Sequence, residues 1–494
     1  MVKIIEEQKN TITELQQENH LLKEQLTYLK RMMFGVKKET IIDDGAYLPN
    51  FEMPKQDEVI EPEEKVLVKK AKNKRKPFTH FDFPKDAPRE KIINDLSPED
   101  KKDLKYIGND EIEKLAYRPG SFYVKVFITR KYVDPLYSEK GIITNTSLSS
   151  AIPGSRVDES MLANLLVNKY CDHLPLYRLE RIYARDGLNI QRQTLSSWAL
   201  KSGALLHPLA DLLLNEIMDQ QVVFTDDTTI PLQVKGNGKT KTARMWIYVS
   251  GGGADPPLVY YQFTKDRKNC HPLEKFKDYK GAFHSDAFSA YETIANFDDV
   301  TWQPCWAHAR RKFFDTLTSH QLKGIILDKI DKLFAIERDA WNIDKEDIPQ
   351  WEKSKKRLNL RQEQSSIVVD EIFSEVKTSF KSGYHMPGEN LTKAMIYLMK
   401  REDAFKSFLN NSELRIDNNV SERNIRPLTL GRKNWLFVGS EDGGRTTATI
   451  LSLVQTCKNL KINPQEYLED VLRRINNTSK NDLFHLLPQN WKKD

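Results

Sequence analysis

An apolar run that ends in paired acids, QVVFTDD over residues 221–227, opens the part of the sequence that most restricts the fold. Two strand-like runs joined by a Gly/Pro-rich turn follow in ARMWIYVSGGGADPPLVYYQFTKD, then a short helical stretch HPLEKFKDY, then GAFHSDAFSAY, which reads as a strand closing on an acid. The order is β-β-β-α-β, continued by a strand VTWQP and a helix CWAHARRKFFDTL. In a sheet of this order Asp226, ending the first strand, and Asp286, ending the fourth, can lie on adjacent strands with both carboxylates at one end. From about Thr316 to Asn411 the pattern is helical, as an inserted helical domain would be. A β-rich pattern resumes with NWLFVGS, and two amphipathic helices, TTATILSLVQTCKNL and NPQEYLEDVLRRI, follow.

A third acid, Glu422, lies in IDNNVSERNIRP, where Asp417 or Asn418 can cap a helix that presents Glu422 and, one turn later, Arg426. Asp226, Asp286 and Glu422 supply hard oxygen ligands suited to Mg²⁺, with Mn²⁺ as the alternative ion. Two such ions can activate a water or a 3′-hydroxyl and stabilise the leaving oxygen of a phosphodiester. Seventy acidic residues guarantee some strand-ending acids by chance, so the neighbouring text matters. CWAHARRKFF and RNIRPLTLGRKNW bring Arg310, Arg311, Arg426, Arg432 and Lys433 as phosphate donors. Asp227 competes with Asp226, because successive strand residues face opposite sides and only one of the pair can face the ions. Cys305 and His308 have the spacing of half a zinc site, but no second pair lies nearby, and they read as structural or substrate-adjacent. No phosphate-cradling glycine loop occurs, so use of a nucleoside triphosphate is unsupported.

At 494 residues the chain has room for about three domains. Within residues 1–36, Ile5, Gln8, Ile12, Leu15, Asn19, Leu22, Leu26, Leu29 and Met33 keep a/d heptad spacing, a coiled-coil pattern that predicts self-association; the alternative is one amphipathic helix packed on its own domain. Residues 37–77 read as a linker, with eight acids between Asp43 and Glu64 and then seven Lys/Arg between Lys65 and Lys76. There Lys72, Lys74, Arg75 and Lys76 form either a phosphate-binding arm or a solvated tail. Residues 78–155 form a small β-containing module around FYVKVFITRKYV. Residues 156–218 are helical, with a break at Asp186-Gly187 and a second helix from near Gln191. That arrangement is helix-turn-helix-like, offering Gln191, Arg192 and Thr194 to DNA, or is an ordinary helical hairpin. The sheet occupies 219–315 and 412–445, the insertion 316–411 and the last helices 446–494.

Lys and Arg number 76 against 70 Asp and Glu, so a net charge of +6 leaves DNA binding to be argued from location. No window approaches a membrane span and no signal peptide opens the chain, which predicts a cytoplasmic protein without a membrane partner. The four cysteines are widely separated, as reduced structural thiols would be.

CWAHARRKFFD, IDNNVSERNIRPLTLGRKNWLFVGSEDGG and PQEYLEDVL closely resemble the transposases of the insertion sequence 66 family, and the likeness runs from LKRMMFGVKKE through HLPLYRLERIYARDGLNIQRQTLSSW to the C-terminal helices. It implies a multidomain α/β transposase of the DDE type, with a ribonuclease-H-like mixed-sheet core, a helical insertion, an N-terminal coiled coil and a helix-turn-helix-like DNA-binding region. The register of FTDDTTIPL implies Asp226 as the first catalytic and metal-binding acid, SDAFSAY implies Asp286, and DNNVSERNIRP implies Glu422. Mg²⁺ dependence, cleavage at terminal inverted repeats, attack of the freed 3′-hydroxyl on target DNA and a place on the bacterial nucleoid come with the same resemblance. Expected partners are DNA and a second copy of the chain, with accessory proteins of the element left open. In one departure, the cysteine-based zinc module usual between zipper and helix-turn-helix has no cysteine here, so no zinc is expected. Two other readings stay open: a metal-dependent nuclease that cuts without joining, and a dimeric sequence-specific DNA-binding protein.

Overall fold

The computed structural model describes residues 88–493, apart from 101–103, 119, 135–141, 146–149, 237, 252–255, 317–320 and 384–388. The expected coiled coil, the linker and the basic arm with Lys72, Lys74, Arg75 and Lys76 lie outside the described residues.

Strands β1 (Arg89–Asn94), β2 (Lys105–Arg118), β3 (Ser121–Val133) and β4 (Ile142–Thr144) make the first sheet, in which β3 runs antiparallel to β2 and β4 and parallel to β1. Val124, Val126 and Ile128, alternate residues of β3, form a small buried cluster, so the module without cysteines folds on an apolar strand face. Helices α1 (Glu159–Leu166), α2 (Leu176–Arg185) and α3 (Arg192–Met218) follow. The chain leaves α2 through Gly187 at φ 82°, a left-handed conformation that glycine adopts without steric cost.

The second sheet comprises β5 (Val222–Gln233), β6 (Thr240–Gly251), β7 (Val259–Thr264), β8 (Gly281–Ser285) and β9 (Val300–Pro304), with α4 (Cys270–Phe276), α5 (Ser289–Ile294) and α6 (Trp306–Phe314) between and after them. The order is β7-β6-β5-β8-β9. Turn-linked β5, β6 and β7 pair antiparallel, whereas helix-linked β8 and β9 pair parallel, as crossover connections require. The β5–β8 register is fixed where Gly281 passes Gln221: a Cβ on Gly281 would lie 2.7 Å from the Gln221 carbonyl, which accepts from the Ala282 amide at 2.8 Å.

The insertion holds α7 (Gln321–Asn342), α8 (Gln350–Leu360), α9 (Ser366–Lys381), α10 (Asn390–Met399) and α11 (Glu402–Lys406). Two arginines with no side-chain exposure key it to the chain that returns to the sheet. Arg361 grips Glu337 through bonds of 2.8 and 2.6 Å and donates to the carbonyls of Phe408, Asn411 and Leu414. Arg357 donates to the Ser412 carbonyl, pairs with Asp344 and stacks on Trp341. Then come α12 (Asn419–Trp435), α13 (Glu441–Asn459) and α14 (Pro464–Arg474). Helix α13 covers the β7 edge: Ser452 and Thr456, one turn apart, accept from the amides of Tyr261 and Val259, two residues apart on the strand. One helical turn and two strand residues span nearly the same length, which lets the hydroxyls match the edge and block further strand addition.

Two expectations are corrected. NWLFVGS is not a strand: Asn434 and Trp435 complete α12, Leu436 turns at φ 66°, and only Val438 bridges β5, by bonds of 2.9 Å to Pro231 and Gln233. Arg432, bonded to Thr229, ties the last turn of α12 to β5 and leaves the apolar run no length to pair. Nor does β5 end at Asp226; it continues to Gln233 against β6, and only its pairing with β8 stops, at Phe224.

Replacing Arg361 by Leu would leave Glu337 buried without its partner and strip donors from three carbonyls. A loss of about 3–5 kcal/mol is expected, read as a lower denaturant midpoint by circular dichroism; an unchanged midpoint would contradict the keying role.

Candidate active site

The β5–β8 register pairs Val222 with Ala282, Val223 with Phe283 and Phe224 with His284. Continued by two residues, it sets Asp226 level with Asp286, just beyond the last paired residues. Asp286 leaves β8 in a tight turn closed by its own carboxylate, which accepts from the Phe288 amide at 3.1 Å. The third acid arrives through three long-range bonds. Asn418 Nδ2 donates to the Thr225 carbonyl at 3.0 Å, the Asn418 amide donates to Cys305 Sγ at 3.3 Å, and the Trp306 amide donates to the Ile416 carbonyl at 2.8 Å. These fasten the start of α12 to β5 and to the start of α6, with Glu422 in the first turn. The capping bond comes from Asp417, whose carboxylate accepts from the Asn419 amide, while Asn418 serves as the tether.

The neighbouring acids of β5 have opposite surroundings. Asp227 has no exposed side-chain surface and is neutralised by Arg244 at 2.8 Å and Arg267 at 2.6 Å. Asp226 has no cationic partner among the described residues, and its one hydrogen bond of note accepts the Asp227 amide at 2.7 Å. Burial, then the charges of Asp286, Asp227 and Glu422, hold its pKa well above the usual carboxylate range. Burial also raises Asp286, offset in part by the Phe288 amide and by Arg267, which reaches it at 3.4 Å.

Cys305, just before α6, and His308, on its first turn, lie close to Glu422. His308 Nε2 lies 4.0 Å from Glu422 Oε1. Burial lowers the His308 pKa against the opposing pull of Glu422 and Asp286, and burial pushes the Cys305 thiol up to about 12.

The expected basic residues divide. Arg426 and Lys433 are exposed on α12, and Arg311 is exposed on α6, where its charge reaches His308. Arg310 grips Asp331 of the helical segment through bonds of 2.7 and 3.0 Å, and Arg432 bonds to Thr229 of β5. Gln191 and Arg192 are exposed at the start of α3, whereas Thr194 is buried. Sequence reasoning passed over Arg267, in TKDRKNC after β7, and assigned no tethering role to Asn418. The paired acids of β5 were the available signal for a nearby arginine.

A folded-state pKa raised above the unfolded value of about 3.9 means that the Asp226 carboxyl contributes stability below that value and loses it as pH rises through the folded value. At pH 7 without divalent ions, Asp226→Asn is therefore expected to raise the melting temperature, and, if the site holds a divalent ion, to lose most of the stabilisation that ion gives. Asp227→Asn, which cuts two arginine pairs, is expected to lower it. An Asp226→Asn protein that melts lower yet keeps its full Mg²⁺ response would contradict this assignment.

The sequence profile described as the Transposase IS66 family matches residues 154–446, and that of the IS66 C-terminal element matches residues 452–489. Among similar proteins of Sinorhizobium fredii (strain NBRC 101917 / NGR234), one described as uncharacterized protein y4qI is 34% identical over 441 residues, covering 84% of this chain and 79% of its own. Another, uncharacterized protein y4jD, is 31% identical over 432 residues, covering 83% and 82%. The family is one of DDE transposases, enzymes that act on DNA and in general use divalent metal. A match that takes in α1–α3, the second sheet, the insertion and all three converging acids settles the relationship: the chain belongs to the insertion sequence 66 transposase family.

Proposed function

We propose that this protein binds the terminal inverted repeats of its own element, cleaves the DNA there and joins the freed 3′ end to target DNA, with Asp226, Asp286 and Glu422 as the catalytic acids. The observation that carries the reading is the convergence of the three carboxylates, with the charges of Asp286 and Glu422 both raising the Asp226 pKa. The strand order, antiparallel through β7-β6-β5 and parallel through β5-β8-β9, supports a ribonuclease-H-like core over 219–315 and 412–445, interrupted by the insertion at 316–411.

Three carboxylate donors, with the repulsion that raises the Asp226 pKa, fit Mg²⁺ or Mn²⁺. Divalent ions held by Asp226, Asp286 and Glu422 would polarise the scissile phosphodiester and make a water or a 3′-hydroxyl a competent nucleophile. The chain's own residues do the positioning. Arg267 braces Asp227 and Asp286 together, and Asn418 sets the first turn of α12 against β5 so that Glu422 meets the strand acids. Arg311 and Arg426, exposed beside His308 and one turn from Glu422, are placed to receive backbone phosphates, with Lys433 further along α12. Gln191 and Arg192 at the start of α3 suit contacts to the element ends, and the heptads of residues 1–36 support pairing of two copies.

The test is a cleavage and joining assay with Mg²⁺ on DNA carrying the element's ends. Asp226→Asn, Asp286→Asn and Glu422→Gln should each lower both products by about a hundredfold or more while DNA binding persists. Cleavage without joining would favour a nuclease, and full activity in any of the three variants would reject the assignment.

A further inference from the structure

We infer that Cys305, His308 and Glu422 form a binding site for a borderline-soft divalent cation, zinc foremost, and that an ion held there disables the acidic site by taking Glu422 from it. One ligand atom of each residue lies within 4.8 Å of the other two. The donors are a sulfur, an imidazole nitrogen and a carboxylate oxygen, the kinds zinc accepts in sites with three protein ligands and one open position. Sequence spacing supplied only the Cys305–His308 pair; the third ligand comes from α12, which the fold returns to the start of α6.

The trio is held in place before any ion arrives. Cys305 precedes α6 and His308 lies in its first turn. The start of α12 is bonded to the cysteine itself, through the Asn418 amide to Sγ at 3.3 Å. An N–H aimed at the sulfur is the outer-shell contact that orients a cysteine for a metal. The imidazole is under-used: among the described residues Nδ1 is buried without a hydrogen-bond partner, and the 4.0 Å from Nε2 to Glu422 is too long for a hydrogen bond. A buried ring nitrogen left unsatisfied is costly, a cost that only an ion coordinated through Nδ1 would offset; an ion held through Nε2 would use the nitrogen that faces Glu422. As the ion binds, the sulfur–metal bond forms and the thiol proton passes to solvent. Mg²⁺ takes oxygen ligands and has little use for sulfur, so the two ions prefer different sets that share Glu422. The binding claim stands by itself; the disabling claim rests on the role proposed above for Glu422.

The experiment uses the full chain carrying Cys270→Ser, which removes the exposed thiol. It is titrated with Zn²⁺ against a chromophoric chelator, and with Co²⁺ followed by its sulfur-to-cobalt absorption. One tight ion per chain is expected, with a thiolate band that Cys305→Ser abolishes. Glu422→Gln, a change at a half-exposed helix position, should weaken the ion by about tenfold or more, whereas Asp226→Asn should not. One equivalent of Zn²⁺ should then cancel the Mg²⁺-induced rise in melting temperature, and Cys305→Ser should restore it. No thiolate band, or an affinity indifferent to Glu422→Gln, overturns the site. Binding as expected with an undiminished Mg²⁺ response overturns the disabling claim alone. Binding as expected with no Mg²⁺ response even before zinc is added overturns the reading of the acidic site, and the disabling claim with it.

Discussion

Asp226 is a carboxylate buried beside carboxylates, and much of the surrounding architecture serves to hold it there. The repulsion falls on Asp226 and not on Asp227, because Arg244 and Arg267 close on the latter, while the former has no ion pair among the described residues. Such an arrangement costs stability in the metal-free protein and is retained only where packing elsewhere over-determines it. Gly281 permits the close approach that sets β5 and β8 in register, and that register carries Asp286 to the level of Asp226.

Glu422 reaches the same place by a longer route, and the insertion is part of it. Arg361 and Arg357, buried among α7 and α8, gather the carbonyls of residues 408–414, so the returning chain enters the sheet region along one path. Ile416 then bonds to Trp306 and Asn418 to Thr225, and α12 begins with Glu422 in its first turn. His284, buried and held neutral with a pKa lowered to about 3, accepts the Arg415 amide and adds a further fixed point on β8. These bonds link the helical segment of residues 321–406 to the chain that leads into α12 and Glu422.

The strands of the second sheet, α6 and the last two long helices were legible because each has a pattern and a boundary in its own residues: continuous apolar runs in VVF and MWIYV, as strands covered on both faces require, turns at Gly and Pro, caps at Ser440 and Asn463. The level placement of Asp226 and Asp286 was legible for the same reason. What escaped were pairings between distant segments. The pairing of Arg310 with Asp331 has no signal in CWAHARRKFF, and Cys305 and His308 read as an incomplete pair until α12 brings Glu422 beside them. Thr194 carries a base-reading side chain, yet it falls on the buried face of α3. WLFV has a strand's composition but meets β5 only at Val438. Composition reports what a segment can do, whereas these outcomes depend on which neighbour the fold brings to it.

The central claim is that Asp226, Asp286 and Glu422 share divalent metal while Asp227 does not. Anomalous scattering from crystals of the protein soaked in Mn²⁺ tests it most directly, because it locates the ion without requiring DNA or turnover. The account predicts density bounded by the carboxylates of Asp226 and Asp286, with Glu422 completing the ligand set. Density beside Asp227 with its arginines displaced, or none near Asp226 at saturating Mn²⁺, would contradict it.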